Sequence, residues 1–181
     1  MAAAAGEQLA AFLERAPGAS LPRDVEHLRR QELVLATAGT GAWAARPEAP
    51  LLAGDRPRSI DVLLTRRERR EAVVVEIWDF FDDLGASLRG TDEKVRAVAK
   101  ILPGWRVQAC WVVRGTRRNR ALIRSLPGLV GARFPAAGSA WLAALTAVEK
   151  PMPETAGLLW TDLRGEQLVA SRAQARNAAA M

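Results

Sequence analysis

The chain has 181 residues, 49% apolar and 25% charged, a composition that suits one folded domain with its own core and excludes a disordered chain. It carries one cysteine and one histidine, which rules out a disulfide framework, a cysteine-cluster metal site and multi-histidine zinc chemistry. Its net charge is +6, but only three of its 26 basic residues are lysines, so catalysis would have to draw on carboxylates, arginines and very few ammonium groups.

The positive balance invites a nucleic-acid partner, although an Arg/Ala excess with scarce Lys is also what GC-rich codon usage produces. The start is Ala-rich, with Glu7 and Glu14 and no basic segment, which argues against a secretory leader and for a cytoplasmic protein. No apolar run approaches the roughly 18 residues of a membrane-spanning helix, so no membrane role is expected.

In chain order, residues 1–20 read as an Ala-rich extension with a short helix over Gly6–Arg15, broken at Pro17-Gly18. A helix follows over Pro22–Thr37, with Val25, Leu28, Leu33 and Leu35 as its apolar positions and Gly39 and Gly41 ending it. Ala42–Ala45 is a weak strand that Pro47 and Pro50 confine to a sheet edge. Ser59–Thr65 is a stronger strand, Arg66–Arg70 a charged turn, and Ala72–Trp78 the strongest strand, its β-branched run suggesting burial on both faces. Asp79–Leu102 reads as helix, with Thr91 before Asp92 and Glu93 as one helix start and Pro103-Gly104 as the stop. Val107–Val113 is a buried strand, Arg117–Ser125 a helix, Gly131–Phe134 a short strand and Ser139–Leu145 a short helix. Beyond Pro151 and Pro153, a hairpin (151–171) turns at Arg164-Gly165, and 172–181 is a tail. The order predicts an α/β domain over 21–150 with a mixed sheet of four to five strands flanked by helices.

Two acids interrupt apolar strands: Asp61 in S-I-D-V-L-L and Glu76 in V-V-V-E-I-W. In an antiparallel hairpin the start of one strand meets the end of the next, so both carboxylates fall at one end of the sheet. Converging carboxylates suit a hard divalent cation such as Mg²⁺. The alternatives are a backbone-bonding role for Asp61 and a buried ion pair with an arginine for Glu76, because an unpaired buried carboxylate costs several kcal/mol. Asp79, Asp82 and Asp83 crowd the same end, as extra ligands or as acids complementing a helix dipole. Arg66, Arg67, Arg69 and Arg70 sit at the opposite end and read as a solvated turn. Arg114, Arg117, Arg118 and Arg120 follow a strand parallel to Ala72–Trp78 and are the better phosphate contacts. Trp105, Trp111, Trp141, Trp160 and Cys110 read as core, His27 as an ordinary helix residue, and Trp78 as packing or a base-stacking surface.

With Asp61 followed by Glu76-Ile77-Trp78, residues 24–134 resemble the PD-(D/E)xK nuclease superfamily, whose restriction-endonuclease-like fold runs helix, three strands, helix, strand. The segment I-W-D-x-x-D-D-L-G-A-S-x-R is also similar to one in actinobacterial proteins that pair a helix-turn-helix with a nuclease-like domain. The resemblance implies Mg²⁺ held by Asp61 and Glu76, and a lysine two positions after the Glu that helps activate water. Trp78 occupies that position here. Some members carry the lysine on the following helix, where Lys94 stands, and others have lost catalysis. Glu26 matches a recurrent third acid. The implied function is a nuclease-like protein, either an active Mg²⁺-dependent nuclease or a catalytically degenerate relative that binds nucleic acid or a protein partner.

Overall fold

The computed structural model describes residues 23–51 and 58–170. The expected helix Gly6–Arg15 and the tail 172–181 lie outside the described residues.

The first helix, α1, spans Arg23–Gly39. Its buried stripe is Arg30, Gln31, Val34 and Ala38, at helical spacing. Of the predicted apolar positions, Leu35 packs against the core, Val25 and Leu33 are half-buried, and Leu28 is 52% exposed. Apolar periodicity missed the centre of the buried face because its first half is polar. Gly41 then lets the chain pass Leu145, whose carbonyl oxygen would lie 2.2 Å from a Cβ there.

Strand β1 (Ala44–Leu51) is longer than expected and runs through both prolines, which its edge position permits. Strands β2 (Arg58–Arg66) and β3 (Glu71–Trp78) form the predicted hairpin around a short 3-10 turn, Arg67–Arg69. Val73, Val74 and Val75 are fully buried, as a strand covered on both faces requires. Helix α2 spans Leu84–Ile101. It starts later than expected because the Asp83 carboxylate accepts from Ala86 N–H (2.9 Å) and caps it. Thr91 therefore starts no helix; it lies inside α2, with its hydroxyl bonded to the Ser87 carbonyl.

Strand β4 (Arg106–Arg114) and helix α3 (Arg117–Ser125) follow as predicted. The expected strand Gly131–Phe134 is instead the end of a helix, α4 (Pro127–Arg133). Pro127 suits a first helical turn, and Val130 and Phe134, four apart, turn the same way into the core. Helix α5 (Gly138–Thr146) leads to β5 (Gly157–Thr161) and β6 (Leu168–Ala170), joined through Gly165 at φ +72°.

The sheet has six strands, not four to five, in the order β1-β2-β3-β4-β5-β6. The two strands of the C-terminal hairpin raise the count: β5 lies parallel beside β4 and β6 antiparallel beside β5. The centre, β3-β4-β5, is parallel; both flanks are antiparallel. Val73, Val75 and Ile77 pack with Val34, Trp141 and Leu145 from α1 and α5. The alternate residues Ala72 and Val74 meet Val98 of α2. Strand alternation thus sends Glu76 to the α2 face.

Candidate functional site

The β2–β3 ladder ends at the pair Val62–Val75, and Asp61 and Glu76 are the next residues of the two strands, at the carboxyl end of β3. The Ile77 N–H bonds the Asp61 carboxylate, and the Asp61 charge acts on Glu76 beside it. Glu76 is 4% exposed. One of its oxygens, Oε2, receives Lys94 Nζ at 2.6 Å, while Oε1 is buried and has no partner among the described residues. Burial first, then the Asp61 charge, raise its pKa to about 7 against the opposing pull of Lys94. Burial also raises that of Asp61, whose Oδ2 accepts from the Ile77 N–H at 2.6 Å.

Lys94 comes from α2, the helix packed over this face. One turn earlier, the Thr91 hydroxyl accepts from the Trp111 indole N–H of β4 (2.9 Å) and so fixes the helix to the sheet. Trp111 also stacks on Phe81 and packs at a tilt against Trp78, at centroid separations of 5.5 and 5.2 Å. Trp78 is half-buried in this aromatic cluster, with its indole nitrogen unpartnered among the described residues. It also lines a cleft of about 650 Å³ whose walls include His27, Glu76, Asp79, Ser87 and Lys94.

Helix α1 supplies groups that apolar patterning did not reveal. His27 Nδ1 lies 3.4 Å from Asp79 Oδ2, and its Nε2 lies 3.9 Å from Asp61 Oδ1. The hydrogen bond to Asp79 raises the His27 pKa above its ordinary value, against the effect of burial. Arg30, fully buried, pairs with Asp79 Oδ1 (2.6 Å) and Glu26 Oε2 (3.1 Å). Gln31 Nε2 donates to Glu48 Oε1 and to the Asp61 carbonyl, both at 2.7 Å. The signal for this polar stripe was its spacing, Glu26-His27-Arg30-Gln31, one side of two helical turns.

The remaining predicted residues separate. Asp79 is held by Arg30 and His27 at the cleft wall, Asp82 is exposed there, and Asp83 caps α2. Glu26 is engaged by arginines, Arg29, Arg30 and Arg114, the last at 3.4 Å. Arg114, expected at phosphate, pairs with Glu26 and donates to the Leu163 carbonyl (3.1 Å). Arg117 and Arg118 are exposed in the first turn of α3. Asn119 beside them is buried and donates to the Asp79 and Arg114 carbonyls (3.0 and 2.9 Å), tying α3 to the loop after β3. Arg120 lies over the Trp160 ring.

At the far end of the sheet, Arg67, Arg69 and Arg70 are exposed as expected, but Arg66 is only 3% exposed. Its guanidinium donates to the carbonyls of Ala144, Val148 and Lys150 and lies over Trp43. Buried Glu71, 3.8 Å away, binds Arg106 and the Met152 N–H. These charges fasten the β2–β3 hairpin to the segment after α5. Cys110 is a buried core thiol with its pKa pushed up by burial. Among the described residues no helix is long and apolar enough to cross a membrane.

No family model, curated protein or solved structure matches the chain.

Proposed function

We propose that this chain is a divalent-cation-dependent, nuclease-like phosphodiesterase of PD-(D/E)xK type, with Asp61 and Glu76 as cation ligands and Lys94 as the activating lysine. The observation that carries the reading is the 2.6 Å contact of Lys94 Nζ with Glu76 Oε2. Trp78 removes the lysine from the strand, and α2 returns one to the same carboxylate. The order helix, three antiparallel strands, helix, parallel strand adds support. The donor set fits a hard cation: two carboxylates side by side, with a buried Glu76 oxygen that has no partner among the described residues.

A bound Mg²⁺ would polarise a phosphate oxygen and acidify an attacking water. The chain's own residues do the rest. Lys94 favours ionised Glu76 and presents ammonium hydrogens at the cleft wall. The Ile77 N–H holds Asp61 Oδ2, which orients the other oxygen. Exposed Arg117 and Arg118 offer phosphate contacts at the carboxyl end of β4, and the preferred substrate is nucleic acid.

Plasmid and single-stranded RNA cleavage in Mg²⁺ or Mn²⁺ tests this reading. Activity lost in Glu76→Ala and Lys94→Met supports it. A protein that binds nucleic acid in a salt-dependent way but cleaves neither substrate is the degenerate relative that Trp78 favours. Absence of both cleavage and low-salt binding points to a protein partner.

A further inference from the structure

We infer that His27, Glu48 and Asp61 form a cation position of their own beside the Asp61–Glu76 pair, suited to a divalent transition metal such as Mn²⁺, Co²⁺ or Zn²⁺. It shares Asp61 with the proposed nuclease site but does not require the chain to cleave anything.

A donor atom from each of the three residues lies within 4.8 Å of the other two. Metal–ligand bonds of about 2.1 Å place donors roughly 3–4 Å apart, so closure needs side-chain movements on the order of 1 Å. The three residues come from separate elements: α1, the edge strand β1, and β2. Glu48 (φ +45°) and Asp61 are the residues between the β1–β2 pairs Pro47–Val62 and Ala49–Ile60. Asp61 thus stands between Glu48 on β1 and Glu76 on β3.

The surroundings orient these side chains as ligands. A metal-binding imidazole almost always gives its other ring N–H to a carboxylate or carbonyl, which fixes the tautomer. Asp79 stands in that position at His27 Nδ1, and Asp79 is itself held by buried Arg30 at 2.6 Å. With Nδ1 donating, Nε2 is left as an acceptor on the Asp61 side. Gln31 binds both the Glu48 carboxylate and the Asp61 carbonyl, so one side chain sets the spacing of two ligand-bearing strands. Ser59 Oγ donates to the second Glu48 oxygen at 3.0 Å. Glu76, 4% exposed with one oxygen unpartnered among the described residues, lines the same cleft as His27.

Metal preference follows from the donors. Mg²⁺ favours oxygen and retains its waters, whereas an imidazole nitrogen with two carboxylates suits Mn²⁺, Co²⁺ and Zn²⁺.

The test uses a property of the whole chain: it has one histidine. In untagged, full-length protein freed of metal by chelator and loaded with Mn²⁺, pulsed electron paramagnetic resonance should show an imidazole nitrogen, which can come only from His27. Titration calorimetry should show Mn²⁺ and Zn²⁺ binding weakened tenfold or more in His27→Gln and in Glu48→Gln, and 10- to 100-fold in Asp79→Asn. In Glu76→Gln the nitrogen signal should persist. Absence of nitrogen coupling in the wild-type protein overturns the inference even if both variants fail to fold. Unchanged affinity in folded His27→Gln and Glu48→Gln overturns it as well. Nitrogen coupling without cleavage would sink the nuclease reading alone; cleavage without nitrogen coupling would sink this inference alone.

Discussion

Replacing Glu76 by Gln should stabilise the cation-free protein, with a defined pH dependence. Glu76 is 4% exposed, and burial together with the Asp61 charge raises its pKa from 4.5 to about 7. Between those values the folded chain binds more protons than the unfolded one. Stability therefore falls as pH rises from about 4.5 to about 7, and does not return above that. A pKa displacement of about 2.5 corresponds to about 3 kcal/mol. Gln matches the neutral carboxyl in shape and cannot ionise. In chelator, Glu76→Gln should gain up to about 3 kcal/mol over the wild type at pH 8 and almost nothing at pH 4. Lys94, left with a neutral amide oxygen in place of a carboxylate but 16% exposed at the side chain, trims the gain without reversing it. Urea denaturation at pH 4, 6 and 8 measures the difference. A variant less stable than the wild type at pH 8, or a gap that does not change with pH, would refute the reasoning. Adding Mn²⁺ should favour the wild type, since a ligand at 100 times its Kd contributes about 2.7 kcal/mol to the state that binds it.

Lys94→Met should cut cleavage by about 100-fold or more in single-turnover assays, and Lys94→Arg should restore little, because a guanidinium does not replace a compact ammonium at a 2.6 Å contact. Arg117→Ala and Arg118→Ala should each reduce the slope of log affinity against log salt by about 0.9, whereas Arg114→Ala, already paired with Glu26, should mainly lower Tm. Glu71→Gln should destabilise the protein by about 3–5 kcal/mol in urea, because it leaves buried Arg66 without its carboxylate, while cation binding at the cleft stays unchanged. Thr91→Val should cost about 1–3 kcal/mol by stranding the fully buried Trp111 N–H, and should lower kcat more than it raises KM as α2 loses its tether beside Lys94.

The sheet was legible because its strands announce themselves. The valine run of β3 and the apolar β4 can be buried on both faces only at a sheet centre, and the two acids stand out against those runs. Turn chemistry marked the hairpin at Gly165. What stayed hidden depended on partners distant in sequence. Arg66 reads as one more charge in a charged turn; carbonyls some 80 residues away make it a buried fastener. Gly131–Phe134 has strand-like composition, but Pro127 starts a helix and no strand stands beside it to pair. His27 reads as an ordinary helix residue because the leucines of α1 dominate its apolar pattern. The helix instead turns Arg30 and Gln31 inward, and only the acids on β1, β2 and the loop after β3 explain why burying them is tolerable.

The same logic explains how Glu76 meets an ammonium that its own strand does not supply. Residues two apart on a strand share a face, so a lysine in place of Trp78 would lie on the α2 side of β3. Here an aromatic stack of Trp78, Phe81 and Trp111 fills that position and forms the floor on which α2 rests. A helix seated on that floor, capped by Asp83 and tied by Thr91, carries Lys94 to Glu76 from above. Trp78 is thus part of the surface that aligns Lys94 with Glu76. Net charge has little to do with it: the groups that matter at the cleft are one lysine, one histidine and a few carboxylates, while Arg30, Arg66 and Arg114 are engaged in internal pairs and carbonyl contacts.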